Sequence, residues 1–84
     1  MSEQQADNVR KAIAVMTAWS ESNDFQLETF SAIALDDGLD GLVETTYGLA
    51  NLCGILLTQR EREAGKAVDV QLQQIAADLP QWLR

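Results

Sequence analysis

Across residues 6–22, Val9, Ala12, Ile13, Met16 and Trp19 recur three or four positions apart, while Asp7, Arg10, Lys11 and Thr17 fall off that stripe. This spacing predicts an amphipathic helix that turns one side to a core. Residues 1–5 are polar and precede the pattern, so they are expected to fray. Ser22, Asn23 and Asp24 interrupt it, because such short polar side chains bond nearby backbone in turns. Residues 25–35, FQLETFSAIAL, admit two readings. Phe25, Leu27 and Thr29 alternate as a strand would, whereas Asn23 and Gln26 have the spacing of a capping box. An isolated strand leaves its backbone groups unpaired, and no second strand is in view. The segment is therefore assigned to a short helix burying Phe30 and Ile33.

The longest periodic segment covers about residues 37–63. Its main apolar face carries Leu39, Leu42, Val43, Leu49, Ala50, Cys53, Leu56 and Leu57. Asp40, Glu44, Asn51, Thr58 and Arg62 lie on the other side. A charged last turn, residues 60–63, is followed by Gly65, a residue suited to stopping a helix. A last helix opens at Val68 with Asp69 as its expected cap, and Leu72, Ile75, Ala76 and Leu79 form its stripe. Pro80 ends it, or kinks it so that Trp82 and Leu83 fold back over the core. The pattern predicts an all-α single domain over residues 1–84. It is a small bundle of three main helices plus one short helix, with a long central helix.

Three glycines, Gly41, Gly48 and Gly54, sit inside the long helix, where each costs about 1 kcal/mol relative to alanine. Gly41, Gly48 and Ile55 are seven apart and share one strip, about half a turn from the main face, with Thr45 and Leu52 flanking it. Small residues on such a strip let another backbone approach closely. Either the first or last helix of the same chain covers this second side, or it is a docking strip for a second copy or a partner helix. In the latter case Thr45, Gly48, Leu52 and Ile55 are the candidate interface.

Chemistry is sparse. Residues 34–44, ALDDGLDGLVE, gather acids and glycines, but a calcium loop counted from Asp36 meets Gly38 at its third position and Tyr47 at its twelfth, where ligands are required. In size, acidity and helix order the chain resembles acyl carrier proteins. Their Asp-Ser-Leu motif is matched by Asp37, Gly38 and Leu39, yet Gly38 has no hydroxyl to carry phosphopantetheine. The remaining reading is a helix start, with Asp37 as cap and Asp40 at the capping-box position, both complementing the helix dipole. With no histidine, no phosphate-cradling glycine loop before a lysine, and Cys53 on an apolar face, no catalytic, metal-binding or cofactor-binding residue is assigned.

A formal charge of −7 argues against nucleic acid as a partner. One cysteine rules out an internal disulfide, the polar N-terminus lacks a signal-peptide core, and the apolar stretch around residues 47–57 is too short to span a membrane. A soluble, cytoplasmic protein is expected. The Leu-rich central helix, the charged residues 60–63 with Ala64, Gly65 and Lys66, and the Leu72, Ile75, Ala76 helix together resemble small uncharacterised helical proteins of actinobacteria. That resemblance implies an all-helical bacterial protein and no particular activity. The functional expectation is a non-enzymatic acidic interaction module of regulatory or adaptor type, binding a protein partner or a second copy of itself. The alternative is a carrier-like protein that encloses an apolar ligand without phosphopantetheine.

Overall fold

The computed structural model describes residues 1–22 and 24–82, with the backbone alone considered at Phe25, Gln26 and Trp82. The protein is all-α, with helix α1 at Glu3–Glu21, α2 at Phe25–Ala64 and α3 at Val68–Asp78. A 3₁₀ turn, Leu79–Trp82, follows. Two compact units divide the chain, Met1–Cys53 and Gly54–Arg84.

Helix α1 starts earlier than its apolar stripe suggests. Ser2 Oγ accepts from the Gln5 backbone N–H at 3.1 Å, and Gln5 Oε1 accepts from the Ser2 N–H at 2.8 Å. This reciprocal capping box satisfies two otherwise orphaned donors and anchors the first turn, in residues expected to fray. At the other end the Ser22 N–H closes the helix on the Ala18 carbonyl. The proposed Asn23–Gln26 capping box lies outside the described residues.

Residues 25–37 are helical, which settles the strand-or-helix ambiguity in favour of the helix. The short and long helices of the sequence reading meet at Gly38, whose φ of 68° and ψ of −155° break the helical path inside α2. That combination belongs to a backbone region open essentially to glycine alone. The aspartate- and glycine-rich stretch is thus a kink, with Gly38 as its pivot. Gly41 closes the inner side of the bend: a Cβ there would lie 2.4 Å from the Asp37 Cβ and 3.1 Å from Ile33 Cγ2.

In the second unit, the carboxyl end of α2 stops at Gly65, which takes a φ of 73° while its N–H bonds the Glu61 carbonyl at 2.9 Å. This left-handed stop is the one the charged turn and glycine predict. Helix α3 differs from expectation at its start. Ala67 occupies the cap position without a side-chain bond, so Asp69 lies within the first turn, where its charge still complements the helix dipole. α3 gives way to the 3₁₀ turn at Leu79, just before Pro80. The expected folding back of Trp82 and Leu83 lies outside what is described.

Candidate functional site

Within the first unit α1 and α2 run antiparallel, as their contacts show. Asn8 lies against Gly48, and three residues further along α1, Lys11 Nζ reaches Glu44 Oε2 at 2.5 Å, four residues back along α2. The seam is made of small and medium residues at matched spacing. Asn8, Ala12 and Val15 are buried on α1, and Gly41, Thr45 and Gly48 are buried on α2, each set at i, i+4 and i+7. At Gly48 the approach is backbone to backbone. A Cβ there would lie 1.9 Å from the Asn8 carbonyl oxygen and 3.1 Å from the Val9 nitrogen. No side chain fits at that point, so the helix-propensity cost of glycine is offset by contact that only glycine permits.

Polar groups inside the seam are accounted for locally. Thr45 donates its hydroxyl to the Gly41 carbonyl at 2.8 Å, so its complete burial strands no donor. The Asn8 Oδ1 accepts from Gln4 Nε2 at 2.9 Å. The Glu44 carboxylate, hydrogen-bonded to Lys11, holds that ammonium above its ordinary range. As both partners are part-exposed, the pair locates the helices more than it stabilises them.

The candidate interface therefore divides. Thr45 and Gly48 lie inside the seam, where α1 of the same chain occupies the close-approach strip. Leu52 and Ile55 are half-buried, the first in one unit and the second in the other. Small residues do mark a close approach, as the spacing implies, and the backbone that approaches is α1.

The face assigned as the main core is the one left open. Leu39 is 75% exposed and Val43 43% exposed, Ala50 and Cys53 are also exposed, and Leu42 and Leu49 are half-buried. At about 100° per residue Leu39, Val43, Ala50 and Cys53 lie on the side of α2 away from Gly48, while Leu42 and Leu49 sit next to Thr45 and flank the seam. The stripe of α1 is corrected in the same sense. Val9 and Ala12 are buried as expected, Asn8 and Val15 join them, and Ile13, Met16 and Trp19 are exposed. The seam brings the smallest side chains together, and the larger apolar groups beside them stay outside it. Trp19 shares the Val15 face one turn on, and continuing the antiparallel register takes it to the level of the Gly38 break.

In the second unit the expected stripe of α3 is likewise open, with Leu72, Ile75, Ala76 and Leu79 exposed, as are Leu56 and Val70. The buried contact is polar instead. Gln71 is 3% exposed, and its amide nitrogen donates to the carbonyls of Leu57 at 3.0 Å and Lys66 at 2.9 Å, pinning the turn between the helices. Glutamine is an unpromising core residue by composition, and its partners, one carbonyl within α2 and one in the turn after it, are far enough apart in sequence that no local pattern signals this role. A cleft of about 230 Å³ beside it is lined by Arg60, Gln71, Gln74, Ile75 and Asp78. One apolar side chain among five is a poor lining for an acyl chain or other apolar ligand. Among the described residues, no group of three or more histidine, cysteine, aspartate or glutamate side chains could hold a metal ion, and no helix is long and apolar enough to cross a membrane.

No protein-family model matches the sequence, and neither a curated protein nor a solved structure matches it.

Proposed function

We propose that the protein is a non-enzymatic interaction module whose working surface is the open face of α2, formed by Leu39, Leu42, Val43, Leu49, Ala50 and Cys53. One observation carries this reading. α2 is packed to backbone contact on its small-residue side, while Leu39, Val43, Ala50 and Cys53 on the other side are exposed and Leu42 and Leu49 at its edge are half-buried. A continuous apolar helix face rimmed by polar residues is the form taken by helix-in-groove and helix-pairing surfaces. Asp40 lies next to Val43 at one edge, so acidic charge borders the face without entering it. Such charge disfavours acidic partners and sets specificity at the edge.

The experiment is a paired comparison of native protein, Val43→Asp and Thr58→Asp. Val43 lies on the face, and Thr58 is exposed on the side expected to be polar. Assembly mass by light scattering and the set of bound proteins are read for each. Val43→Asp is expected to lose what the native protein and Thr58→Asp retain. Identical masses and identical bound proteins for all three folded chains would sink the proposal.

A further inference from the structure

The second unit carries a separate feature, which the proposed docking face in the first unit does not involve. We infer that the cleft between α3 and the carboxyl end of α2 binds a small amino-acid-type zwitterion, a carboxylate and a primary ammonium joined by a short aliphatic spacer. Four of its lining residues, Gln71, Gln74, Ile75 and Asp78, are spaced i, i+3, i+4 and i+7 and form one strip of α3, while Arg60 comes from α2. At about 230 Å³ the cleft falls below the roughly 300–1,000 Å³ of sites for drug-sized ligands, so a molecule of few atoms suits it. The demand for a ligand is made by Gln71. This side chain is 3% exposed, and its amide nitrogen donates to the Leu57 and Lys66 carbonyls. Both amide hydrogens are thus engaged and the orientation of the group is fixed, because a carbonyl accepts only from the nitrogen side. Gln71 Oε1 is left buried with no donor among the described residues. Buried polar atoms are paired as a rule, so this acceptor calls for an N–H from a molecule in the cleft.

Gln74 stands the other way round. Its Oε1 accepts from Lys66 Nζ at 3.1 Å, and lysine can only donate, so the amide hydrogens of Gln74 are the ones left for a ligand. The two carboxamides therefore offer one acceptor and one donor group. The charged residues repeat that division. Arg60 is a permanent cation and Asp78 an anion, and no ion pair among the described residues engages either. A ligand carboxylate accepts from Arg60 and Gln74, and a ligand ammonium, with three hydrogens, donates to Asp78 and Gln71 Oε1. Ile75 supplies the apolar surface on which the spacer rests. A simple anion would leave Asp78 and Gln71 Oε1 unmet, and a simple cation would leave Arg60 and Gln74 unmet. The wider field does not oppose either end. The second unit has four acidic and four basic residues, so the net charge of −7 belongs to the first.

The test is a titration of the full isotope-labelled chain with glycine, β-alanine and γ-aminobutyrate, read at the side-chain amide signals of Gln71 and Gln74 by nuclear magnetic resonance. Acetate and methylammonium are the single-charge controls. At least one zwitterion is expected to shift both amides to saturation with a Kd at or below about 10 mM. The spacer that binds best then measures the separation of the two charged ends of the cleft. Acetate and methylammonium are expected to saturate neither signal over the same range. Gln71 itself is left intact, since its amide pins the turn. Arg60→Gln and Asp78→Asn remove only the charges, and each is expected to weaken binding about tenfold with helical content unchanged by circular dichroism. Failure of all three zwitterions to saturate the amides would overturn the site. Equal saturation by acetate or methylammonium alone would overturn the zwitterion as its ligand. Undiminished affinity in folded Arg60→Gln and Asp78→Asn would place the binding outside this cleft and overturn the assignment.

Discussion

The two sides of α2 in the first unit invert the usual relation between hydrophobicity and burial. On one side Gly41, Thr45 and Gly48, with little apolar surface, are buried, Gly48 directly against the backbone of α1. On the other, Leu39 and Val43 have far more apolar surface and lie open. Hydrophobic burial scales with area removed from water, so area alone would turn the leucine side inward. Close approach works differently. Where a glycine lets two backbones touch, many short-range contacts form along the seam, and the larger side chains are held off to the flanks. A helix can therefore spend its small-residue face on its own chain and keep its large-residue face for another molecule.

The sharpest way to break this comparison is to fill the close-approach point. Gly48→Leu forces the Asn8 carbonyl away. It is expected to cost about 3 kcal/mol or more, a large part of the stability of so short a chain. Urea denaturation followed by circular dichroism reads it, and native-like stability would mean that α1 does not rest on this strip. The next effect is at the kink. Gly38→Ala meets no neighbouring atom but holds alanine in a glycine-only conformation. It is expected to cost about 1–3 kcal/mol, and an unchanged or raised midpoint would argue for an unbroken helix through residue 38.

Val43→Asp sharpens the contrast from the other side. At concentrations where the chain is dilute enough to be unassembled, this exposed position should change stability by no more than about 0.5 kcal/mol. A loss as large as that of Gly48→Leu would show that the open face is part of the chain's own core.

The smallest effect lies at the edge of the seam, between Lys11 and Glu44. Glu44 raises the Lys11 pKa above its ordinary 10.5, chiefly through their hydrogen bond. A raised ammonium pKa stabilises the fold below the unfolded value, and that contribution is lost as pH rises through the folded value. The stability difference between native protein and Glu44→Gln should thus be present at neutral pH, shrink above pH 10.5 and shrink with added salt. A difference that persists unchanged under strong alkali would assign Glu44 another role.

Much of this architecture can be read along the chain. The 3.6-residue period in residues 6–22 marks α1, the glycine after a charged turn marks the end of α2, and the two aspartates beside Gly38 mark a break. The Ser2–Gln5 cap was also legible as a serine followed three residues later by glutamine, but it precedes the apolar stripe that draws attention. The glycines at 41 and 48 announced a close approach. What they left open was whether the approaching backbone belonged to this chain or another, because a small-residue strip looks the same in either case. Gln71 was the least legible, since its burial depends on how the turn at residues 65–67 brings it against the Leu57 and Lys66 carbonyls.

Local chemistry was therefore enough to determine helical content, the stop of α2 at Gly65 and the break at Gly38, while the caps of α1 and α3 fell on other residues than expected. Propensity, capping and the conformational freedom of glycine act over four or five residues and need no distant partner. Only tertiary structure decided which face of each helix is inside. Two candidate faces, one small and one large, were both compatible with the periodicity of α2, and the choice rests on the fit between α1 and Gly48 across forty residues of chain.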